Sequence, residues 1–313
     1  KMMVDTIPPA IRALSKMHYV NVGGTGFIVY QASSDSVKSG IFVDDLFFPG
    51  FQTKNSQEGH HVCYFAIPHD VKTNPKVHLW AKDRAGNEST GSFYFKILKK
   101  RFPKERINIT DRFLKRIIPY FSFYPLNPTE TDIEKFLKIN RGLRKENSAV
   151  YYDLRSETSP ERLWDGKWTR LKNAASMAGF AERRSYYHKG KRIDQQFHMG
   201  VDLASLAHSE VQAANHGRVI FADRLGIYGL TVVLGHGQGL ASVYSHLSKI
   251  NVELNQEVIK GEVIGVTGQT GLAGGDHLHF AVMVNGVFVN PIEWWDGHWI
   301  QDNITRKLAL LNK

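Results

Sequence analysis

Two short segments, far apart in this 313-residue chain, constrain its fold most: FHMGVDLA, with His198 and Asp202, and GDHLHFAV, with His277 and His279. An imidazole and a carboxylate four residues apart, joined later by two imidazoles two apart, make the donor inventory of a zinc site with one group to spare. Zinc is held by His nitrogens and Asp or Glu oxygens, and catalytic sites use three protein ligands and leave a position for water. Residues i and i+2 of a strand share a face, so His277 and His279 are expected side by side. Only one of them is needed to complete a His, Asp, His set. The other is then free to act as a base beside the metal-bound water. For the set to close, the two segments must meet in the folded chain.

The stretch from about Gly179 to Trp295 is similar to the lysostaphin-type (LytM-type) zinc metallopeptidases that cut peptidoglycan cross-bridges. The matching pieces, in order, are AGFAERRSY, HMGVDLA, AANHGRVIFA, YGLTVVLGHGQGLASVYSHLSKI, VIKGEVIGVTGQTGLAGGDHLHFAV and NPIEWW. The resemblance implies that His198, Asp202 and His279 are the zinc ligands, that His277 is the catalytic base, and that His246 of the YSHL piece is a second catalytic histidine. One departure is visible. The family often has Phe-Gly-x-Arg where this chain has Phe180-Ala181-Glu182-Arg183. Ala replaces Gly wherever φ is negative, so the expected consequence is confined to local loop shape.

The chemistry follows from the residue types. Zn²⁺ lowers the pKa of its bound water to about 7 and polarises a carbonyl as a Lewis acid. A neighbouring His that takes the water's proton and passes it to a leaving amine contributes about 10²–10⁴-fold. A second His stabilises the oxyanion of the tetrahedral intermediate. His277 suits the first role and His246 the second, although the residues alone also allow the reverse. Amide hydrolysis by this route needs no Ser or Cys nucleophile. His208, His216, His236 and His298 lie in loop-like or turn-like sequence without a paired ligand, and His60 and His61 flank a strand-like run, so all six read as structural.

The formal charge of +10 is uneven: residues 1–150 carry 23 basic and 14 acidic groups, and residues 151–313 carry 17 and 16. The excess is densest over 96–116, where Lys96, Lys99, Lys100, Arg101, Lys104, Arg106, Arg112, Lys115 and Arg116 face Glu105 and Asp111. Such a patch suits an anionic membrane surface or an anionic cell-wall polymer. Nucleic acid is not expected, because no groove-reading or aromatic-interleaved motif accompanies the charge. The single cysteine, Cys63, excludes an intrachain disulfide and reads as a buried thiol. No apolar run reaches the length of about 18 residues that spans a bilayer. A peptidoglycan enzyme must be exported, so the expected location is the periplasm or cell envelope, with the signal or anchor absent from this chain.

The expected fold class is mainly β, in three units: an immunoglobulin-like β-sandwich over 1–100, a short basic helical connector over 101–148, and a lysostaphin-like antiparallel β-sheet metallopeptidase domain over 149–313. In the first unit, runs such as TGFIVYQAS, HHVCYFAI and KVHLWAKD alternate with Gly, Asn, Asp and Pro turns. The sequences DTIPP and AKDRAGN resemble bacterial immunoglobulin-like modules. VGGTG, near the start, lacks the following helix and the Gly-Lys-Ser/Thr ending of a phosphate loop and reads as a turn. Helical period sets in from about 103, with capping residues in Thr129–Asp132 and a stripe of Ile133, Phe136, Leu137, Asn140 and Leu143. Lying between a non-catalytic module and a hydrolase, this connector is a candidate plug over the zinc groove. From about Tyr151 the pattern is β again, with Gly-rich hairpins and a further tight hairpin in EVIKGEVIGVTG. The function expected is a zinc endopeptidase acting on peptidoglycan cross-link peptides, as a D,D-endopeptidase. The alternative is a catalytically silent relative that binds cell wall or activates an amidase.

Overall fold

The computed structural model describes residues 5–52 and 58–312; residues 1–4 and 313, the outer ends of the first and last expected units, lie outside the described residues. The short runs of the first hundred residues form two four-stranded antiparallel sheets. One orders Ile11–Ala13, Thr25–Ala32, His60–Ala66 and Phe51–Gln52; the other orders Leu46–Pro49, Ser36–Val43, Val77–Asp83 and Glu88–Gly91. Side chains of Val77–Asp83 alternate between buried and half-buried, the pattern of a strand with one face on a core. Thr25–Ala32 and His60–Ala66 are buried on both faces, which explains their unbroken apolar runs. One face meets the second sheet, where Tyr30 Oη lies 2.7 Å from Ser39 Oγ and Cys63 Sγ donates to Phe48 O at 3.3 Å. The opposite face meets the end of the chain: Tyr64 packs on Trp294 with ring centroids 6.2 Å apart, and Lys307 Nζ donates to Phe27 O at 3.0 Å.

This second contact makes the sheets and the C-terminal half one core, continued by Trp164, Trp168 and Trp294. The paired glycines of VGGTG form a turn, as expected, and the turn docks the two halves. Asn290 N donates to Gly23 O at 2.8 Å, while Asn21 Nδ2 and Thr25 N donate to the Glu293 carboxylate at 3.1 and 2.8 Å. A Cβ on Gly24 would lie 2.4 Å from Glu293 Oε1, so the close approach requires glycine.

The middle of the chain departs from expectation at both ends. Lys104–Asn108 is a strand, paired in parallel with Glu182–His188, and Lys191–His198 completes a three-stranded sheet. Pro103 disfavours helical backbone before it, and helix starts only at Asp111–Ile117, capped by Thr110. Helix Asp132–Leu137 begins with the Thr131–Glu134 capping box and runs through a widened turn, Lys138–Leu143, into Arg144–Asp153. Of the stripe, Phe136, Asn140 and Leu143 are buried. Strand structure does not resume at Tyr151: among the described residues no strand forms between there and Ala175–Ala178, and the irregular stretch between buries Trp164 and Trp168. Among the described residues no helix is long and apolar enough to cross a membrane. All nine cations of the 96–116 segment are exposed.

The C-terminal half is built on an antiparallel sheet that orders Ala175–Ala178, Val201–Ala204, Leu278–Val284, Leu240–Leu247, Gly229–Gly237, Gly217–Leu225 and Glu257–Val258, with Val287–Val289 beside Leu278–Val284. Gly226–Tyr228 and Gln238-Gly239 make the Gly-rich hairpin turns. EVIKGEVIGVTG is not a hairpin. Glu257–Val258 pairs with Gly217–Leu225, whereas Val263–Val266 pairs with Glu210–Gln212 and Lys249–Ile250 in a separate sheet.

Candidate metal centre

Sheet register brings the two segments together. Asp202 on Val201–Ala204 lies directly opposite His279 on Leu278–Val284, so their side chains share a face. His198 ends the neighbouring strand Lys191–His198, and its backbone carbonyl accepts from Ala181 N at 2.7 Å. His198 Nε2, Asp202 Oδ1 and His279 Nδ1 then form a triangle with edges of 2.9, 2.9 and 3.0 Å. His198 Nδ1 lies 2.9 Å from Gly179 O and must donate to it, which leaves Nε2 with a lone pair facing the other two atoms. Three lone-pair atoms meeting in a buried spot favour a cation between them. Their spacing is a few tenths of an ångström tighter than the roughly 3.3 Å expected around a tetrahedral ion with bonds near 2.0 Å. These three residues can hold a metal ion.

The two remaining histidines stand at the same place. His277 precedes the strand, with Nε2 3.5 Å from Asp202 Oδ1 and Nδ1 donating to Gly275 O at 2.9 Å. His246 arrives by a less obvious route. Leu230 pairs with Leu247 and Val232 with Tyr244, so Ser245 and His246 together oppose Thr231 alone, a β-bulge. His246 has φ +63°, in the left-handed region where a residue with a Cβ is strained. The bulge breaks the alternation and brings its ring to 4.8 Å from His277 and 5.9 Å from His279. Its Nδ1 donates to Thr270 O at 2.8 Å, so Nε2 is left for the site.

Electrostatics follow from burial and the shared carboxylate. Burial alone would raise the Asp202 carboxyl, but His198, His277 and His279 hold it well below the usual carboxylate range. Burial lowers His246 well below the ordinary histidine value, helped by the charges of His277 and His279. At His277 burial also lowers proton affinity, yet the bond to Asp202 outweighs it and the net direction is upward. Arg184 supports the carboxylate from behind: Nη2 lies 3.0 Å from Asp202 Oδ2, and Nε lies 3.0 Å from Glu182 Oε1 and 3.3 Å from Glu105 Oε2. Sequence reading passed over Arg184, which follows the Phe180-Ala181-Glu182-Arg183 piece; the backbone N of Arg183 bonds Pro103 O. The signal was present in the alternation Glu182, Arg184 on a strand beside His198.

The departure at Ala181 has a larger consequence than expected. Its φ is +56°, so the premise of a negative φ is wrong, and alanine occupies a conformation that favours glycine. Gly200, by contrast, is required: a Cβ there would lie 2.6 Å from Phe280 O and 2.7 Å from His279 Nε2. The six histidines read as structural stand apart. His208, His216 and His298 are exposed, His236 is buried among its own partners, and His60 and His61 open the strand His60–Ala66.

The five residues line a cavity of about 610 Å³ whose other wall is the connector, through Ile107, Asn108, Phe113, Phe136 and Arg144. The connector therefore borders the cleft.

Residues 196–291 match the sequence pattern described as Peptidase family M23. The chain is 38% identical over 97 residues, 31% of its length, to the DD-carboxypeptidase/endopeptidase Mpg of Neisseria meningitidis, and the match spans 22% of that protein. It is 36% identical over 173 residues, 52% of its length, to the peptidoglycan DD-endopeptidase ShyA of Vibrio cholerae, spanning 38% of that protein. A solved structure from Pseudomonas aeruginosa, described as an M23 peptidase, covers 87% of the chain and 93% of its own, with a TM-score of 0.54 and 23% identity, and so shares the fold. Residues 196–291 therefore form a domain of peptidase family M23.

Proposed function

We propose that this chain is a zinc-dependent endopeptidase that hydrolyses amide bonds in peptidoglycan cross-link peptides, as a D,D-endopeptidase. The observation that carries this reading is the triangle of His198, Asp202 and His279 with two further histidines presenting Nε2 to the same cleft. A zinc ion on the three ligands would supply Lewis acidity at the scissile carbonyl and lower the pKa of the attacking water to about 7. His277 takes the water's proton on Nε2 and returns it to the leaving amine, with its ring oriented by Gly275 O. His246, oriented by Thr270 O, faces the oxyanion, whose developing charge favours the protonated ring. Arg184 holds the Asp202 carboxylate in place, as partners behind a ligand commonly do.

Presence of all five groups in one cleft supports an enzyme over a catalytically silent wall-binding relative. In this reading residues 1–100 are an immunoglobulin-like module, the protein works in the periplasm or cell envelope, and the exposed cations of 96–116 meet an anionic membrane or wall polymer. Digestion of purified sacculi, with products identified by mass, is the test. The wild type is expected to release cross-link cleavage products and to carry about one zinc, and His198→Ala to do neither. Equal digestion by both proteins would end the proposal.

A further inference from the structure

Arg144, which opens helix Arg144–Asp153, lines the same cleft as His246, His277 and His279. It is held from behind. Its Nε donates to Asn140 O at 3.1 Å and its Nη2 to Asn140 Oδ1 at 2.7 Å. Asn140 is fully buried and is itself fixed by donation from its Nδ2 to Asp194 Oδ2 at 2.8 Å. Tyr228 lines the same cleft beside it, a buried ring that packs on His279 with centroids 5.5 Å apart. A guanidinium offers five N–H donors in a rigid fork, so these contacts fix its plane without exhausting it.

What Arg144 lacks is a counter-charge. Arg184 pairs with Asp202, Glu182 and Glu105, and Arg141 pairs with Asp194. Among the described residues no carboxylate pairs with Arg144, and the side chain is half-buried in the cleft wall. A partly desolvated, immobilised cation without a partner is unfavourable by itself and is the arrangement that binds a carboxylate strongly when one arrives.

We propose that Arg144, together with the Tyr228 hydroxyl, anchors a free carboxylate of the substrate peptide and so sets which cross-link presents its amide to His277 and His246. The inference rests on the endopeptidase reading above. Arg144 lies outside residues 196–291, so this anchor comes from the connector and not from the family domain.

The test uses two cross-linked muropeptide dimers that differ only in carrying a stem carboxylate or its carboxamide. For zinc-loaded wild type, KM is expected to be about 10–100-fold lower for the carboxylate form, as a charge-assisted bond implies. Arg144→Gln should erase that difference by raising KM for the carboxylate form alone, with kcat within about twofold and zinc content unchanged. Arg144→Lys should keep part of the preference, since it keeps the charge and loses the fork. Cleavage of both forms alike by wild type, or an equal loss on both in Arg144→Gln, would overturn the anchor and leave the endopeptidase reading standing. Should wild type cleave neither form, that reading fails, and the anchor is then judged by Kd, from titrating both dimers into His277→Ala. Equal Kd values overturn it too.

Discussion

His236 and His279 are buried on the same antiparallel sheet, and His279 is joined by His198 from the neighbouring sheet; the two settings differ in where the lone pairs end. His236 has Nδ1 2.7 Å from His216 O and Nε2 2.7 Å from Ser242 Oγ, with its ring tilted against Trp168, centroids 4.4 Å apart. Both nitrogens are committed to fixed protein partners. In the other group, His198 Nε2 and His279 Nδ1 face each other and Asp202 Oδ1, within 3.0 Å. Burial does not separate the two, since His236 is 0% exposed and His279 3%. Lowered proton affinity does not either, because burial brings both rings to about 4. Convergence of acceptors on one point does. A buried histidine whose bonds close on the protein is a structural part, whereas one whose lone pair meets other lone pairs is placed to ligate a cation.

The largest expected break between the groups is catalytic. His277→Ala should lower kcat by about 10²–10⁴-fold while zinc content stays at the wild-type level, since this ring is placed outside the ligand set. Metal analysis alongside muropeptide cleavage checks both halves. Loss of zinc in this variant would move His277 into the coordination shell and dissolve the division of roles.

The second break is in acid stability. Burial lowers His236 from 6.5 to about 4, so the unfolded chain binds the proton more tightly. The stability this contributes is present above pH 6.5 and is lost as pH falls through 4, an amount of about 3 kcal/mol. His236→Gln keeps a hydrogen-bonding side chain and removes the titration. It should flatten that part of the stability curve between about pH 6.5 and 4 without changing zinc content. An unchanged acid limb would mean that other groups carry it.

Much of this was legible in the sequence for a definite reason. Strand alternation is a simple rule, so the neighbouring placement of His277 and His279 followed from spacing, whereas the grouping of His198 and Asp202 with His279 came from the family resemblance. The β-rich first hundred residues followed from the same rule. His246 did not, because a bulge with a left-handed residue breaks the alternation that spacing assumes. Lys104–Asn108 was missed because its pairing partner, Glu182–His188, is remote and the charged run carries no apolar period. The strands of EVIKGEVIGVTG were misjoined because turn residues reveal a reversal without revealing which sheet each arm enters.

A smaller effect tests how tightly the convergent group is packed. A methyl at residue 200 would press on His279 Nε2 and the Phe280 carbonyl at 2.6–2.7 Å. Gly200→Ala is expected to shift that ring and weaken zinc affinity by about 10–100-fold, as other losses of ligand orientation do. Competition with a chelator of known affinity measures it, and an unchanged affinity would show that the strand Leu278–Val284 can give way.

The smallest effect concerns the backbone that holds His198. Ala181 is fully buried at φ +56°, and its N–H is the donor to His198 O. The left-handed conformation costs a residue with a Cβ roughly 1–2 kcal/mol. Ala181→Gly relieves that cost but gives up one buried methyl, worth about 0.8 kcal/mol, and some unfolded-state restriction. The balance is a gain of up to about 1 kcal/mol in unfolding free energy, read by denaturant midpoint with zinc removed. A loss of more than about 1 kcal/mol would mean that the methyl packs more productively than its backbone is strained, and that alanine stands at 181 for the core beneath His198.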